Sequence, residues 1–396
     1  MLNLSNNKLN ILNFVREKEA ISKTEIAKDT KLGWGTVIKF VDSLITENIL
    51  EEIGYADSTG GRKANLIKLN KEAGFLVGVD LGASTTKIII TDFGCNILHK
   101  RETYSHPYEE KDKIFQELFK SIDETIVLSG VDRKKIKGIG LSISGNIDTE
   151  KGLIITAGNL GIREMPPIPI KEMLEEYFKI PSLAVGTRAA VTIGEKFFGL
   201  GKGINDLVCV NIGIGIGSGV ISHGELVKST FEKQVGYIGH ILVEKTGPQC
   251  GCGGYGCLES FAGGRAIANQ MKELLSKGEN SLVKELVYGE FDKITAAIIT
   301  EAAKKGDELS CKILKKAGQY IDIGISNMIQ LYHPDKVILG GGLIQSNELL
   351  LKFIKEAISD AIPQERFDIN KIVISKLENY AGPLGAIQLI WEEVLK

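Results

Sequence analysis

From Phe75 onward the chain repeats one arrangement: a short apolar run closed by a glycine-rich turn, followed by a helix-patterned stretch. Apolar runs lie at 75–79, 87–91, 136–143, 207–212 and 336–339, and helical patterns at 111–128, 168–178 and 308–331. Runs of this length bounded by glycines read as strands, and strands alternating with helices predict an α/β fold with covered sheets. The 45 glycines, against 9 prolines, bunch into a few loops, so the chemistry should be sought there. Roughly 320 residues of this pattern suit two lobes. Two glycine-rich turns follow apolar strands, near residue 80 and near residue 213, which suggests similar lobes facing a cleft.

The first 70 residues differ. One apolar face runs through Leu9, Ile11, Leu12, Phe14 and Val15, predicting a helix over 7–18. Ser22-Lys23-Thr24-Glu25 reads as a capping box opening a short second helix through Thr30. Leu32-Gly33 then predicts a tight turn, and a third helix over 35–47 buries Val37, Val41, Leu44 and Ile45. Two apolar-alternating strands at 49–53 and 65–69 flank a tip, Ser58-Thr59-Gly60-Gly61-Arg62-Lys63. Helix, short helix, turn, helix and hairpin together make a winged helix-turn-helix. Its third helix would enter a DNA major groove with Trp34, Thr36 and Lys39. Lys23 and Lys31 would face phosphates, and Arg62 and Lys63 on the wing would reach backbone or minor groove. Ten basic and nine acidic residues in 1–70 leave the module barely cationic, so a winged helix used only for protein contacts stays open. A linker is expected near 70–74.

Net charge is −2 over 396 residues, which excludes a uniformly basic nucleic-acid coat but not a local DNA reader. No apolar run approaches the ~20 residues that cross a bilayer. Met1 to Ser5 lack a charged segment leading into an apolar one, so a cytoplasmic location is expected.

Cys250-Gly251-Cys252-Gly253-Gly254-Tyr255-Gly256-Cys257 is the strongest local signal. Three thiols on a curling glycine-rich segment, with His240 ten residues upstream, make a Cys₃His set for zinc. The alternative is three reduced, unliganded cysteines. Cys95, Cys209 and Cys311 are isolated and expected in cores. Asp80-Leu81-Gly82-Ala83-Ser84-Thr85 sits between two strands, where an acid, a glycine and hydroxyls can hold a metal-bound phosphate. By itself it also reads as an ordinary hairpin. Gly213, Gly215 and the Gly340-Gly341-Gly342 run offer further close-approach loops, or simply tight packing on a helix.

Taken together, these residues resemble the ROK family of repressors, open reading frames and kinases, in its repressor branch. The resemblance rests on the Gly60-Gly61-Arg62 wing, the Asp80–Thr85 loop, Gly138-Ile139-Gly140 running on to Gly145, and Asn159-Leu160-Gly161. It continues through a helix start at Gly194-Glu195, Gly239-His240, the cysteine cluster with Leu258-Glu259, and Gly340–Gly342. The family implies a two-lobed actin-like body of the sugar kinase and ribonuclease-H kind, a structural zinc and a homodimer. Its repressors imply release from palindromic operator DNA under the control of a sugar. The expected domains are 1–70, the winged module; 74–187 with 380–396, the first lobe; and 188–379, the second lobe with the zinc site.

Three departures from the family's kinases stand out. Where those kinases read Asn-Asp-Ala-Asn, with Asp as general base, this chain reads Gly186-Thr187-Arg188-Ala189. A threonine hydroxyl is far too weak a base for a sugar hydroxyl proton. Their Glu-x-Gly-His is here Tyr237-Ile238-Gly239-His240, and Ile214 replaces a phosphate-binding Thr. The resemblance therefore implies no catalytic residues and a vestigial nucleotide site of Asp80, Gly82, Thr85, Gly213, Gly215 and Gly341. A sugar would be held by Asn159, Thr187, Arg188, Tyr237, His240 and Glu259, with Arg188 able to pair with an anionic group of the effector, point to solvent or pair with a nearby acid. The reading is a sugar-responsive repressor of carbohydrate-utilisation genes. The alternatives are an ATP-dependent sugar kinase fused to a DNA-binding domain, and a purely structural or protein-interaction role.

Overall fold

The capping box at Ser22 forms: its side chain accepts from the Glu25 N–H, and the Glu25 carboxylate accepts the Ser22 N–H at 2.9 Å. A hydrogen bond from the Ser22 hydroxyl at 2.7 Å, together with the Ser22 N–H, holds the Glu25 carboxyl below its usual range. In the computed structural model, which describes residues 6–55, 64–105, 110–163, 166–228, 235–345 and 347–396, this box opens α2 (Lys23–Thr30). Before it lie α1 (Asn6–Lys18) and β1 (Ile21–Ser22). The tight turn after α2 is made by Lys31, whose φ of 56° is left-handed. Gly33, expected to make it, has φ −62° and serves as the N-cap of α3 (Trp34–Thr46). Helix α3 buries Val37, Val41 and Leu44, one face at spacings of three and four, worth roughly 1.5–3 kcal/mol per side chain. Strands β2 (Leu50–Tyr55) and β3 (Asn65–Leu69) pair antiparallel, and β3 also pairs with β1, an element absent from the sequence reading. The hairpin tip with Arg62 and Lys63 lies outside the described residues.

Residues 70–74 are not a loose linker. Lys71–Ala73 form a 3-10 turn capped by Asn70, whose N–H donates to Ile49 O at 2.8 Å. Lys71 O in turn accepts from Phe93 N at 3.1 Å. The expected runs at 75–79 and 87–91 are longer strands, β4 (Phe75–Leu81) and β5 (Thr85–Asp92), and β6 (Ile97–Tyr104) follows. With α4 (Lys111–Ser129), β7 (Ile136–Ile143), α5 (Ile170–Phe178) and β10 (Ser182–Gly186) they build the first body sheet, in the order β10-β7-β4-β5-β6. Between β7 and α5 lies a small hairpin, β8 (Asn146–Asp148) and β9 (Leu153–Thr156).

The second sheet contains β11 (Leu207–Ile212), β12 (Ile216–Ser222), β13 (Glu225–Leu226), β14 (Lys336–Gly340) and β15 (Ile372–Ile374). Its order, β13-β12-β11-β14-β15, repeats the logic of the first. In both sheets the three leading strands are sequential neighbours, the fourth lies beside the first, and the fifth beyond the fourth. This shared topology is the duplication suggested by the two glycine-rich turns. Around the second sheet pack α6 (Thr187–Phe198), α7 (Leu258–Ala262), α8 (Gly264–Ser276), α9 (Val283–Leu286), α10 (Ala296–Lys304), α11 (Glu308–Tyr332) and α12 (Glu348–Ala361). Much of its core is Val, Ile and Leu from β11, β14, α8 and α11.

Contacts divide the chain into two compact units, 1–142 with 169–184 and 386–396, and 143–168 with 185–385. The winged module groups with the first sheet, and the hairpin β8–β9 with the second unit. These divisions differ from the expected 1–70, 74–187 with 380–396, and 188–379: Arg16 and the 70–74 turn fasten the module to the first sheet. The C-terminal helix α13 (Ala381–Val394) begins in the second unit and ends in the first. Among the described residues no helix is long and apolar enough to cross a membrane.

Candidate functional site

The four expected metal ligands converge. Their donor atoms, one each from His240, Cys250, Cys252 and Cys257, lie within 4.8 Å of one another. His240 ends a 3-10 turn, Ile238–His240, and Cys257 is the N-cap of α7. The intervening chain is curled by hydrogen bonds from Cys250 N to Gly254 O, Gly253 N to Cys250 O and Gly256 N to Pro248 O. Gly256 has φ 69°, and a Cβ there would fall on the Glu244 carbonyl oxygen, so the curl requires glycine. Tetrahedral zinc, with bonds of about 2.3 Å to sulfur and about 2.0–2.1 Å to nitrogen, separates S···S donors by about 3.8 Å and N···S donors by about 3.6 Å. Cys252 Sγ and Cys257 Sγ are 3.8 Å apart, and His240 Nδ1 and Cys250 Sγ 3.6 Å. The donor set and its spacing fit such an ion. Burial pushes the Cys250 thiol up to about 12, so loading the site means displacing a proton from it.

The side chains named for sugar binding all lie within one unit, and Arg188, Tyr237 and Glu259 group beside His240. Helix α6 begins at Thr187, capped by Gly186, so Thr187 and Arg188 occupy its first turn. The Gly194-Glu195 pair, expected at a helix start, lies well inside α6 instead. Glu195 is buried there, accepting from Ser375 Oγ and from Leu200 N. The expected start was displaced because Gly186 breaks the strand-to-helix connection earlier. The Arg188 guanidinium lies 4.0 Å over the Tyr237 ring, and Tyr237 stacks on His240 with centroids 5.8 Å apart and planes at 29°. Burial lowers the pKa of Arg188, while Tyr237 and Glu259 beside it act to raise it. The solvent-facing alternative for Arg188 therefore gives way to a stack: Arg188, Tyr237, His240. Glu259, in the first turn of α7, accepts the Ile216 N–H at 2.8 Å and so rests against the loop holding Gly213 and Gly215.

Asn159 sits in the 3-10 turn Gly158–Leu160, and its Oδ1 accepts from Arg265 Nη2 at 3.5 Å. Arg265 was not among the sequence candidates; its one signal was its place just after Gly263-Gly264 at a helix start. The Gly213 and Ile214 carbonyls accept the Gly264 and Arg265 N–H groups at 2.8 and 3.3 Å. The first turn of α8 is thus satisfied by the loop itself. Gly341 has φ 96°, and Leu343 N donates to Ile212 O beside it at 3.0 Å. Asp80, Gly82 and Thr85 belong to the other unit. There Asp80 accepts from Ser142 Oγ at 2.5 Å, Gly82 N donates to Thr85 O at 3.1 Å, and Lys87 Nζ donates to Thr85 Oγ1 at 3.0 Å.

In the winged module, Trp34 is 51% exposed, Lys31 and Lys39 are exposed, and Thr36 is half-buried. Lys23 is paired with Asp42 at 2.6 Å. An ion pair at the surface contributes about 0–1 kcal/mol, so it does not hold Lys23 from a stronger partner. Cys95 and Cys209 are buried as expected, and Cys311 is half-buried.

Residues 76–393 match the model of the ROK family. A xylose repressor of Caldicellulosiruptor bescii is 30% identical over 98% of this chain and 96% of its own length. The N-acetylglucosamine repressor of Escherichia coli O157:H7 is 28% identical, over 95% of this chain and 89% of its own length. Among solved structures, a ROK family transcriptional regulator described as a homologue of Escherichia coli MLC superposes with a TM-score of 0.80 at 22% identity, covering 98% of both chains. A ROK family glucokinase from Streptomyces griseus, solved with glucose and AMPPNP, gives a TM-score of 0.72 at 26% identity, covering 81% of this chain and 100% of its own.

Proposed function

The chain belongs to the ROK family, and from that premise we propose that it is a sugar-responsive transcriptional repressor with a non-catalytic effector unit. One observation carries the reading. A stack of Arg188, Tyr237 and His240, with Glu259 beside it, rests on the Cys₃His cluster; by the family resemblance, Thr187 stands where the kinases carry their base. The names of relatives that span nearly the whole chain support it.

Each side chain has a definable task. Glu259 accepts hydrogen bonds from sugar hydroxyls, and Arg188 donates them. The Tyr237 ring offers a flat apolar face to a sugar ring. With His240 Nδ1 turned toward the cysteines, its proton belongs on Nε2, which then donates to the ligand. Zinc, when bound, fixes that tautomer and braces the loop on which His240 and Glu259 converge. Asn159 and Thr187 complete the polar lining. No group at Thr187 can take a hydroxyl proton, so coupled assays with ATP and common hexoses and pentoses should show no phosphoryl transfer. Turnover by the wild type would overturn the non-catalytic reading. Two chains, as a homodimer, would set two winged modules on a palindromic operator.

The test is fluorescence anisotropy with DNA from upstream of the gene, across a salt series, followed by sugars including xylose and N-acetylglucosamine. Binding that weakens with salt and is altered by one sugar is the expected result. Operator affinity unchanged by every sugar at saturation would overturn it. Within the same assay, Lys39→Ala should weaken binding about equally across DNA sequences and reduce the salt slope by about 1, whereas Trp34→Ala should change sequence preference. Unaltered binding in both variants would remove α3 from the interface.

A further inference from the structure

Helix α13 belongs to both compact units, and it is gripped at each end by a different functional element. Its first turns pack on α6 at backbone distance. A Cβ on Gly385 would fall on the Ala190 carbonyl oxygen, and a Cβ on Gly194 would fall on the Ala381 carbonyl oxygen. The two glycines face opposite ways across one contact, so α13 follows any displacement of α6, the helix that carries Thr187 and Arg188. Farther along, Gly140 meets Ala386 and Gly138 meets Ile390 in the same tight manner.

The other end of α13 holds the winged module. Arg16, in the last turn of α1, donates to Gln388 Oε1 at 2.6 Å and lies 4.4 Å over the Trp391 ring. Gln388 and Trp391 are both fully buried, and the Trp391 indole N–H donates to Phe93 O at 3.0 Å. Arg16 also reaches Asn13 Oδ1 and Cys95 Sγ, each at 3.1 Å. A guanidinium held by two buried side chains of one helix is a directional latch. It transmits orientation, where an apolar contact alone would slide.

We propose that α13 is the coupling element between the effector helix and the DNA-binding module, and that Arg16, through Gln388 and Trp391, is the positioning residue that delivers the coupling. The proposal rests on the sugar-responsive repressor reading. Sugar bound against the first turn of α6 displaces that helix, α13 carries the displacement through its backbone contacts, and Arg16 turns α1. Ligand and DNA affinities are then linked only to the extent that α13 differs between the two states.

The experiment uses the full chain and the upstream DNA duplex. The ratio of DNA dissociation constants with and without D-xylose, D-glucose and N-acetylglucosamine is measured for the wild type, Arg16→Met and Trp391→Phe. Sugar affinity is read separately by calorimetry. A coupled wild type should give a ratio of about 5–150 with one sugar. Arg16→Met should keep that sugar's affinity and the sugar-free DNA affinity, with the ratio falling to about 1. Trp391→Phe, which keeps an aromatic ring under Arg16 but loses the bond to Phe93, should give an intermediate ratio and is decisive if Arg16→Met does not fold. A wild type that responds to sugar and variants that respond equally would overturn this inference alone. A wild type whose DNA affinity no sugar changes would overturn the repressor reading, and this inference with it.

Discussion

Replacing Cys257 with serine should reduce bound zinc from about one ion per chain to nearly none. The melting temperature should fall by about 10 °C. The first number follows from the donor set: removing one of four ligands from a closed tetrahedral site leaves three donors whose spacing no longer surrounds an ion. The second follows from what the ion holds. Structural zinc contributes folding free energy directly, and a unit of this size loses about 2–4 °C per kcal/mol. Cys257 also caps α7, the helix of Glu259, so the loss should extend to sugar affinity. Metal analysis by atomic emission and a thermal melt check both numbers. A variant that keeps its zinc and melts with the wild type would place the metal elsewhere and leave the cluster as three reduced, unliganded cysteines beside His240. Cys311→Ser is the control, because that thiol is half-buried away from the cluster and should leave zinc content unchanged.

Glu259→Ala should weaken sugar binding by on the order of 100-fold. A hydrogen bond to a charged group contributes about 1.5–3 kcal/mol, and each 1.4 kcal/mol is a factor of about ten in affinity. The carboxylate stands beside Arg188 and accepts the Ile216 N–H. Its removal therefore leaves a half-buried guanidinium without its nearby acid and a loop N–H without an acceptor. Glu259→Gln keeps an oxygen for Ile216 but not the charge, and should fall between the two, near tenfold. Titration calorimetry with the responsive sugar reads both values, and zinc content measured on the same samples separates a lost ligand contact from a collapsed loop. Unchanged affinity in Glu259→Ala with zinc retained would take Glu259 out of the binding site.

The features legible in sequence were those written within one or two turns of chain. The capping box at Ser22 and Glu25 formed as read, because both partners sit three residues apart and need no tertiary help. The cysteine cluster was legible for the same reason: three of its four ligands span eight residues, and glycines between them announce a curl. Strand and helix positions in the body followed from periodicity, and the two similar sheets from the repeated glycine turns. Local signals also misled. Leu32-Gly33 promised the tight turn, yet Lys31 makes it in the left-handed conformation, and Gly33 caps α3 instead. Gly194-Glu195 promised a helix start, yet α6 begins seven residues earlier, at Thr187, capped by Gly186.

Arg188 shows where the sequence stops. Its three sequence-level options, an anionic ligand, solvent or an acid, were left open by its neighbours in the chain. Only the packing of α6 on β12 brings its guanidinium over Tyr237, nearly fifty residues away. Arg16 shows it more strongly, because Gln388 and Trp391 lie at the opposite end of the chain and no local pattern relates them. By itself, then, the sequence determined the α/β class, the winged module and the Cys₃His cluster, since each is a matter of residue type at short spacing. Tertiary structure alone decided which helix carries Arg188 to Tyr237, which unit holds the module, and that α13 joins the two. Those depend on which distant segments the sheet topology places side by side, and hydrophobic periodicity, being non-directional and local, does not specify partners across such distances.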